Sequence, residues 1–271
     1  MIVTFQKMMR PIYKTHETPN RMLLAFVLVL TISSSAAAQH FLTVGPGFAL
    51  RVFKSEKLNH FTDTYNLDNF NSLATLLNGF DGSEGLRFEV GYRYWKHYTA
   101  AVSLGWMTFT RKDNATFTNN ETRLLELKSN SFYLEYEAGR PFGDFFVNGV
   151  LAFFFNRNVE IEAAYFDANG RNFARRLNGN YRGATAFSGD LGIAVGMYRK
   201  PIFLVAKITY PFFATDKSDR LRDERTAKQE DGSALFPDDY INFKAREPYD
   251  GVPNDLDGLK ISLTVMFSLE L

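Results

Sequence analysis

The 271-residue chain contains no cysteine. That absence excludes disulfide scaffolds, thiolate metal centres, cysteine nucleophiles and lipid anchoring through a terminal cysteine. Histidine is almost as scarce. Of four residues, only His40, His60 and His97 follow the leader segment described below, too few for a histidine metal cluster. No serine-centred nucleophile motif accompanies any of them, and His60 has only Asp63 nearby in sequence. Charge of one sign is lacking as well. The 31 basic and 30 acidic residues form no basic stripe of the kind that binds nucleic acid. Long helical periodicity is missing after Gln39. These absences lead us to expect no cofactor, no metal, no catalytic residue and no nucleic-acid partner.

Aromatic residues are abundant: 27 Phe and 13 Tyr bring the aromatic content to 15%, a composition that favours strands. The N-terminus reads as a secretory signal peptide over residues 1–38. Arg10, Lys14 and Arg21 precede a short apolar run, Met22 to Ile32, and Ala36-Ala37-Ala38 sets up cleavage before Gln39. The lead is long enough that translation is expected from Met8 or Met9. Residues 1–38 hold four basic side chains and one acidic one, so the mature chain, 39–271, carries a net charge of −2.

From Gln39 onward the pattern is strand, short turn, strand, longer polar loop. His40 to Phe53 is a first strand with a bend or bulge at Pro46-Gly47. A polar loop over 54–84 follows, in which residues 69–80 are expected to form a short helix. The segment "GLRFEVGYRYW" alternates Leu86, Phe88, Val90, Tyr92 and Tyr94 with Arg87, Glu89, Gly91 and Arg93. "YTAAVSLGWMTFT" returns with Ala100, Val102, Leu104 and Trp106 on one face. A polar loop is expected near 111–122, where two glycosylation-type sequons at Asn114 and Asn120 mark only loop character. In "RLLELKSNSFYLEYEAGR", Phe132, Leu134 and Tyr136 oppose Tyr133, Glu135 and Glu137. The first part of that segment is out of phase, which predicts a bulge near Asn130. Further strands cover "FFVNGVLAFFFNRNVEIEAAYF", "RGATAFSGDLGIAVGMY" and "IFLVAKITYPFF". A charged loop over 214–257 leads to the terminal "GLKISLTVMFSLEL". Acidic groups in that loop, "PDDY" and "PNDLDG", miss the calcium-loop spacing and read as solvated.

Eight strands, three tight turns (95–97, 141–144, 199–201) and four longer loops form the asymmetric plan of an up-and-down barrel of the bacterial outer membrane. The larger apolar face suits lipid. The other face, rich in Gly, Ala, Ser and Thr with isolated charges, suits a narrow lumen. Tyr92, Tyr94, Trp95, Tyr98, Trp106, Tyr133, Tyr198 and Tyr210 sit near strand ends, where interfacial girdles belong. Arg87, Glu89, Arg93, Glu135, Glu137, Asp190, Lys207, Lys260 and Glu270 share the inward phase and form the candidate ion-pair network. Charges confined in so small a barrel must be matched or hydrated.

On the segments "GLRFEVGYRYW", "GDLGIAVGMY" and "LKISLTVMFSLEL", residues 40–271 resemble the small outer-membrane β-barrels of Gram-negative bacteria. The likeness is to the PorT-like outer membrane protein beta-barrel domain group and, more distantly, to OmpA/OmpX-type barrels. Many of these end in Phe, whereas this chain ends in Leu271. The resemblance implies an eight-stranded antiparallel transmembrane barrel with a filled lumen, in contact with outer-membrane lipid and the barrel-assembly machinery. It also implies a structural or binding role, as an accessory to an envelope or secretion complex, and no enzymatic activity. A lipid-modifying enzyme or a narrow small-solute channel is the alternative reading.

Overall fold

A computed structural model describes residues 39–173, 178–183, 186–215, 221–223, 256 and 258–271. The signal-peptide expectation for 1–38 lies outside these residues, as does nearly all of the charged loop 214–257 with its acidic clusters. In chain order the elements are β1 (Gln39–Val52), α1 (Glu56–Asp68), β2 (Leu73–Thr75), β3 (Gly82–Trp95), β4 (Thr99–Phe117) and β5 (Thr122–Phe142). They continue with β6 (Phe145–Phe166), β7 (Gly179–Gly183), β8 (Ala186–Arg199), β9 (Ile202–Ala214), β10 (Leu221–Asp223) and β11 (Leu259–Glu270).

The eight long strands pair antiparallel in the order β1-β3-β4-β5-β6-β8-β9-β11, and β11 pairs back onto β1. The register measures how the ring closes. Following paired residues from His40 leads through Tyr94, Ala100, Ala138, Gly149, Ile193, Ile208 and Ile261 back to β1 at Leu50. The path returns ten residues along the starting strand. Eight strands with that stagger tilt by roughly 40° to the barrel axis at ordinary strand spacings. Such a ring is just wide enough to be filled by side chains. The three tight turns fall where expected, between Trp95 and Thr99, Phe142 and Phe145, and Arg199 and Ile202. Gly143, at φ +64°, supplies the left-handed residue of the second turn. Pairing runs through Pro46-Gly47 without a register shift, so of the bend or bulge expected there, the bulge does not form.

Toward the turn end the barrel is apolar outside. Leu42, Val44, Leu86, Val90, Leu104 and Ile193 are among many exposed outward residues, while Arg87, Glu89, Arg93 and Lys207 are buried inside. Toward the loop end the polarity reverses on β4, β5 and β6, and the register shows where. Phe88, Trp106, Phe132 and Phe155 are successive partners across β3 to β6. Two residues further along β3, β4 and β5, and three along β6, the outward partners are Leu86, Thr108, Asn130 and Asn158. The next row is Glu84, Thr110, Lys128 and Glu160. Beyond it lies a surface mesh of Lys112–Glu126 (3.6 Å), Lys128–Glu126 (3.3 Å) and Lys128–Glu162 (2.9 Å). The hydrogen bond to Glu162 holds the Lys128 pKa above the ordinary lysine value. Behind this charged surface the inward residues are Ala115, Leu125, Leu127, Val159, Ile161 and Tyr181.

This reversal explains the phase conflict in β5. The strand keeps one alternation throughout, with Arg123, Leu125, Leu127, Ser129, Tyr133 and Glu135 all inward. What changes along it is the chemistry of each face. The register does shift at Asn130, but the extra residue belongs to β6, where Asn156 and Arg157 oppose Ser131. Asn156 takes φ +50°, a left-handed conformation that asparagine tolerates better than most residues. Past this bulge the inward set of β6 switches from Phe146, Asn148, Val150, Ala152 and Phe154 to Arg157, Val159, Ile161 and Ala163.

The helix forms at 56–68 rather than at the expected 69–80, which holds a turn and β2. Ser55 caps it by accepting from the Leu58 amide at 3.3 Å. Leu58, Phe61 and Tyr65 form one face and pack on the apolar interior of the loop end. The expected loop 111–122 is also corrected. Lys112–Phe117 extend β4 and Thr122 opens β5, leaving only 118–121 as the turn. Paired strands satisfy their own backbone groups, so polar side chains that suggested a loop, such as Lys112 and Asn114, are the outer face of a hairpin, while Asp113 between them is buried.

Candidate functional site: a charge network inside the barrel

Five inward strand segments bring the candidate charges together. Alternation on β3 points Arg87, Glu89 and Arg93 into the lumen. Glu135 and Glu137 come from β5, Asp190 from β8, Lys207 from β9 and Lys260 from β11. All eight are buried. Glu270 departs from the expectation. It shares the inward phase but lies past the end of the lumen, exposed, where it accepts from Lys200 at 2.7 Å.

Six of the buried charges form one cluster. Lys207 Nζ contacts Glu135 closely and reaches Glu137 at 2.8 Å and Glu89 at 3.4 Å. Arg87 pairs closely with Glu89 and reaches Glu135 at 3.4 Å. Arg93 donates to Glu137 at 2.9 Å. The cluster holds Arg87, Arg93 and Lys207 against Glu89, Glu135 and Glu137, and so is neutral. A seventh and eighth charge form a separate pair, Lys260 to Asp190 at 2.7 Å, with Thr209 donating to Asp190 at 3.1 Å.

Neutral groups complete the arrangement. Arg87 donates to the Tyr133 hydroxyl at 2.8 Å and to Ser262 at 2.8 Å, and Tyr133 donates to Glu89 at 3.1 Å. Asn148 donates to Glu137 at 3.0 Å and accepts a close hydrogen bond from Thr99. Sequence reasoning did not single out Tyr133, Asn148, Thr99, Thr209 or Ser262 as members. Their signal was the inward phase they share with the charges.

The lumen is closed above and below the cluster. At the turn end Phe41, Trp95, Phe146, Tyr198 and Phe203 form a block of rings, with Tyr198 stacked on Phe203 at 4.3 Å and Trp95 edge-on to Phe146 at 5.6 Å. Arg93 lies over Phe146 and Phe203 at 4.7 and 5.3 Å. This corrects the girdle expectation for Trp95, Tyr133 and Tyr198, which face inward. Tyr92, Tyr94 and Tyr98 do gather on the outer rim with His40, Tyr94 stacking on Tyr98 at 4.7 Å. At the loop end α1 and the segment behind it close the other mouth. Asn66 exchanges two 2.9 Å hydrogen bonds with Leu77, and Asp113 accepts from the Asn78 and Gly79 amides at 2.9 and 3.0 Å. His60 is exposed on α1 with Asp63, also exposed, one turn on.

No protein-family model matches the chain, and no curated protein matches it. Among solved structures it is similar to the outer membrane protease OmpT from Escherichia coli. That likeness has a TM-score of 0.35 and 8% identity, over 86% of this chain and 96% of that chain.

Proposed function

We propose that the protein is an integral β-barrel of a Gram-negative outer membrane, exported by a cleaved signal peptide, with a closed lumen and a structural or binding role. The observation that carries this reading is the combination of an apolar outward belt with a neutral, buried ion cluster sealed at both ends. Backbone groups in lipid must all be paired, and the closed ring provides that. A lumen filled by matched charges and rings supports a non-conducting barrel rather than a pore. Biological work then falls to its ends. The loop end, with α1 and the hairpin that project past the belt, is the surface offered to an envelope or secretion complex.

Membrane fractionation followed by electrophoresis with and without heating tests the first part. The folded barrel is expected in the outer-membrane fraction, migrating differently before and after heating. Recovery as a soluble periplasmic protein would sink the proposal. Planar-bilayer recordings test the second part, where discrete conductance steps from the purified protein would favour the channel. Purification after mild solubilisation is expected to retain an envelope protein. Activity on lipid A that is lost in His60→Ala would instead point to an enzyme.

A further inference from the structure

Among the described residues the two rims of the apolar belt differ in charge. Among the described outward residues of the loop-end strands Glu84, Glu126, Glu160 and Glu162 outnumber Lys112, Lys128 and Arg182. At the turn end the described residues carry Lys96, Arg140, Arg199 and Lys200 against only Asp144 and Glu270, a net excess of two positive charges. The turn-end rim is also divided around its circumference. Its β1-β3-β4 side is the aromatic group of His40, Tyr92, Tyr94 and Tyr98. Its β5-to-β11 side holds Arg140, Arg199 and Lys200 beside the exposed rings of Phe142 and Phe145.

The cations on that side are loosely held. Arg140 continues the outward phase of β5 below Tyr136 and Ala138 and makes no ion pair among the described residues. Arg199 meets Asp144 at 3.8 Å, and Lys200 meets Glu270 at 2.7 Å, in pairs open to solvent. Exposed pairs of this kind contribute little and can exchange one oxyanion for another. Guanidinium groups present a planar fork suited to phosphate. Phe142 and Phe145 supply apolar surface next to these groups, continuous with the belt above.

We propose that this arc of the turn-end rim binds the phosphate headgroup of anionic glycerophospholipid. Arg140 anchors the phosphate, Arg199 and Lys200 exchange Asp144 and Glu270 for lipid oxygens, and Phe142 and Phe145 lie along the acyl chains. The proposal rests on the membrane reading above. Each cation near a charged lipid surface contributes about a fivefold preference.

The test uses the full mature barrel refolded into vesicles of phosphatidylcholine alone or mixed with phosphatidylglycerol, with retained lipid measured after extraction into mild detergent. Phosphatidylglycerol is expected to be enriched roughly fivefold or more over its share of the vesicle, less so as salt rises. The triple variant Arg140→Gln/Arg199→Gln/Lys200→Gln is expected to lose the enrichment while keeping its heat-modifiable migration. Lys112→Gln/Lys128→Gln, at the other rim, is expected to keep it. Equal retention of the two lipids by the unaltered protein overturns the proposal, as does enrichment that survives in the triple variant. Displacement by millimolar inorganic phosphate would mean a site for free phosphate and would also overturn it. Failure to enter vesicles of either kind refutes the membrane reading itself and is recognised by the missing heat-modifiable band.

Discussion

Lys207 is the residue on which the interior depends. One ammonium contacts Glu89, Glu135 and Glu137, and no other cation among the described residues reaches all three. Replacing it with methionine keeps the volume but leaves three buried carboxylates facing two arginines. Breaking a buried pair from one side costs about 3–5 kcal/mol, and urea unfolding of the refolded barrel is expected to show a loss of that size. Gly105 matters for the opposite reason. A Cβ there would lie 2.2 Å from Tyr133 Cζ and 2.6 Å from the Phe88 carbonyl oxygen. The Tyr133 ring lies over the bare backbone of Gly105, which lets its hydroxyl reach Arg87 and Glu89. Gly105→Ala is therefore expected to destabilise by about 1–3 kcal/mol, whereas Tyr133→Phe keeps the ring and loses only the hydrogen bonds. Equal unfolding midpoints for Gly105→Ala and the parent would show that the ring has room to move.

Among the elements, α1 and the segment behind it are held to the ring by little strand pairing. Their attachments are the short pairing of β2 with β4, side chains packed on the apolar loop-end interior, and hydrogen bonds to Asp113. Asp113→Ala leaves the buried Gly79 amide unpaired and takes the Asn78 amide's acceptor away, at about 1–3 kcal/mol. It is expected to speed proteolytic cleavage within 54–81 while leaving the heat-modifiable migration of the barrel intact; loss of both together would place the helix in the folding core. This region was also the least legible in the sequence. The buried positions Leu58, Phe61, Thr62 and Tyr65 have helical spacing, but Asn59, His60, Asp63 and Thr64 between them give the segment a polar cast. The more apolar stretch 69–80 drew the helix expectation instead. A helix under a charged hairpin needs only one narrow apolar face, and that face is easily missed.

At the scale of the whole molecule, turn residues placed the three tight turns, while alternation placed the eight strand segments, short of the loop-end extension of β4, and set eight of the nine charges inward. It did so because one face of each strand must differ from the other around a closed ring. It could not choose partners inside the lumen. Lys207 meets Glu89 across 118 positions of sequence, a distance that only the stagger of the ring converts into contact. Nor could it assign the bulge to β6, since the irregularity shows in the mismatch between two strands and not in either alone. The outward phase is open to a direct check. Leu263 is half exposed at mid-strand, and Leu263→Arg is expected to weaken insertion by about 2–4 kcal/mol if it faces the lipid midplane. Unchanged insertion in vesicles would reverse inside and outside.

The order in which the charges occur along the chain has a consequence for assembly. The strands through β5 contribute Arg87 and Arg93 with Glu89, Glu135 and Glu137, a cluster one positive charge short. Asp190 on β8 adds another carboxylate, and the two lysines arrive only with β9 and β11, the last two strands of the ring. A chain halted before β9 would leave Glu89, Glu135, Glu137 and Asp190 of this network facing only Arg87 and Arg93. These eight charges balance only as the final pair of strands seats, so closure of the wall and neutralisation of this network are a single event.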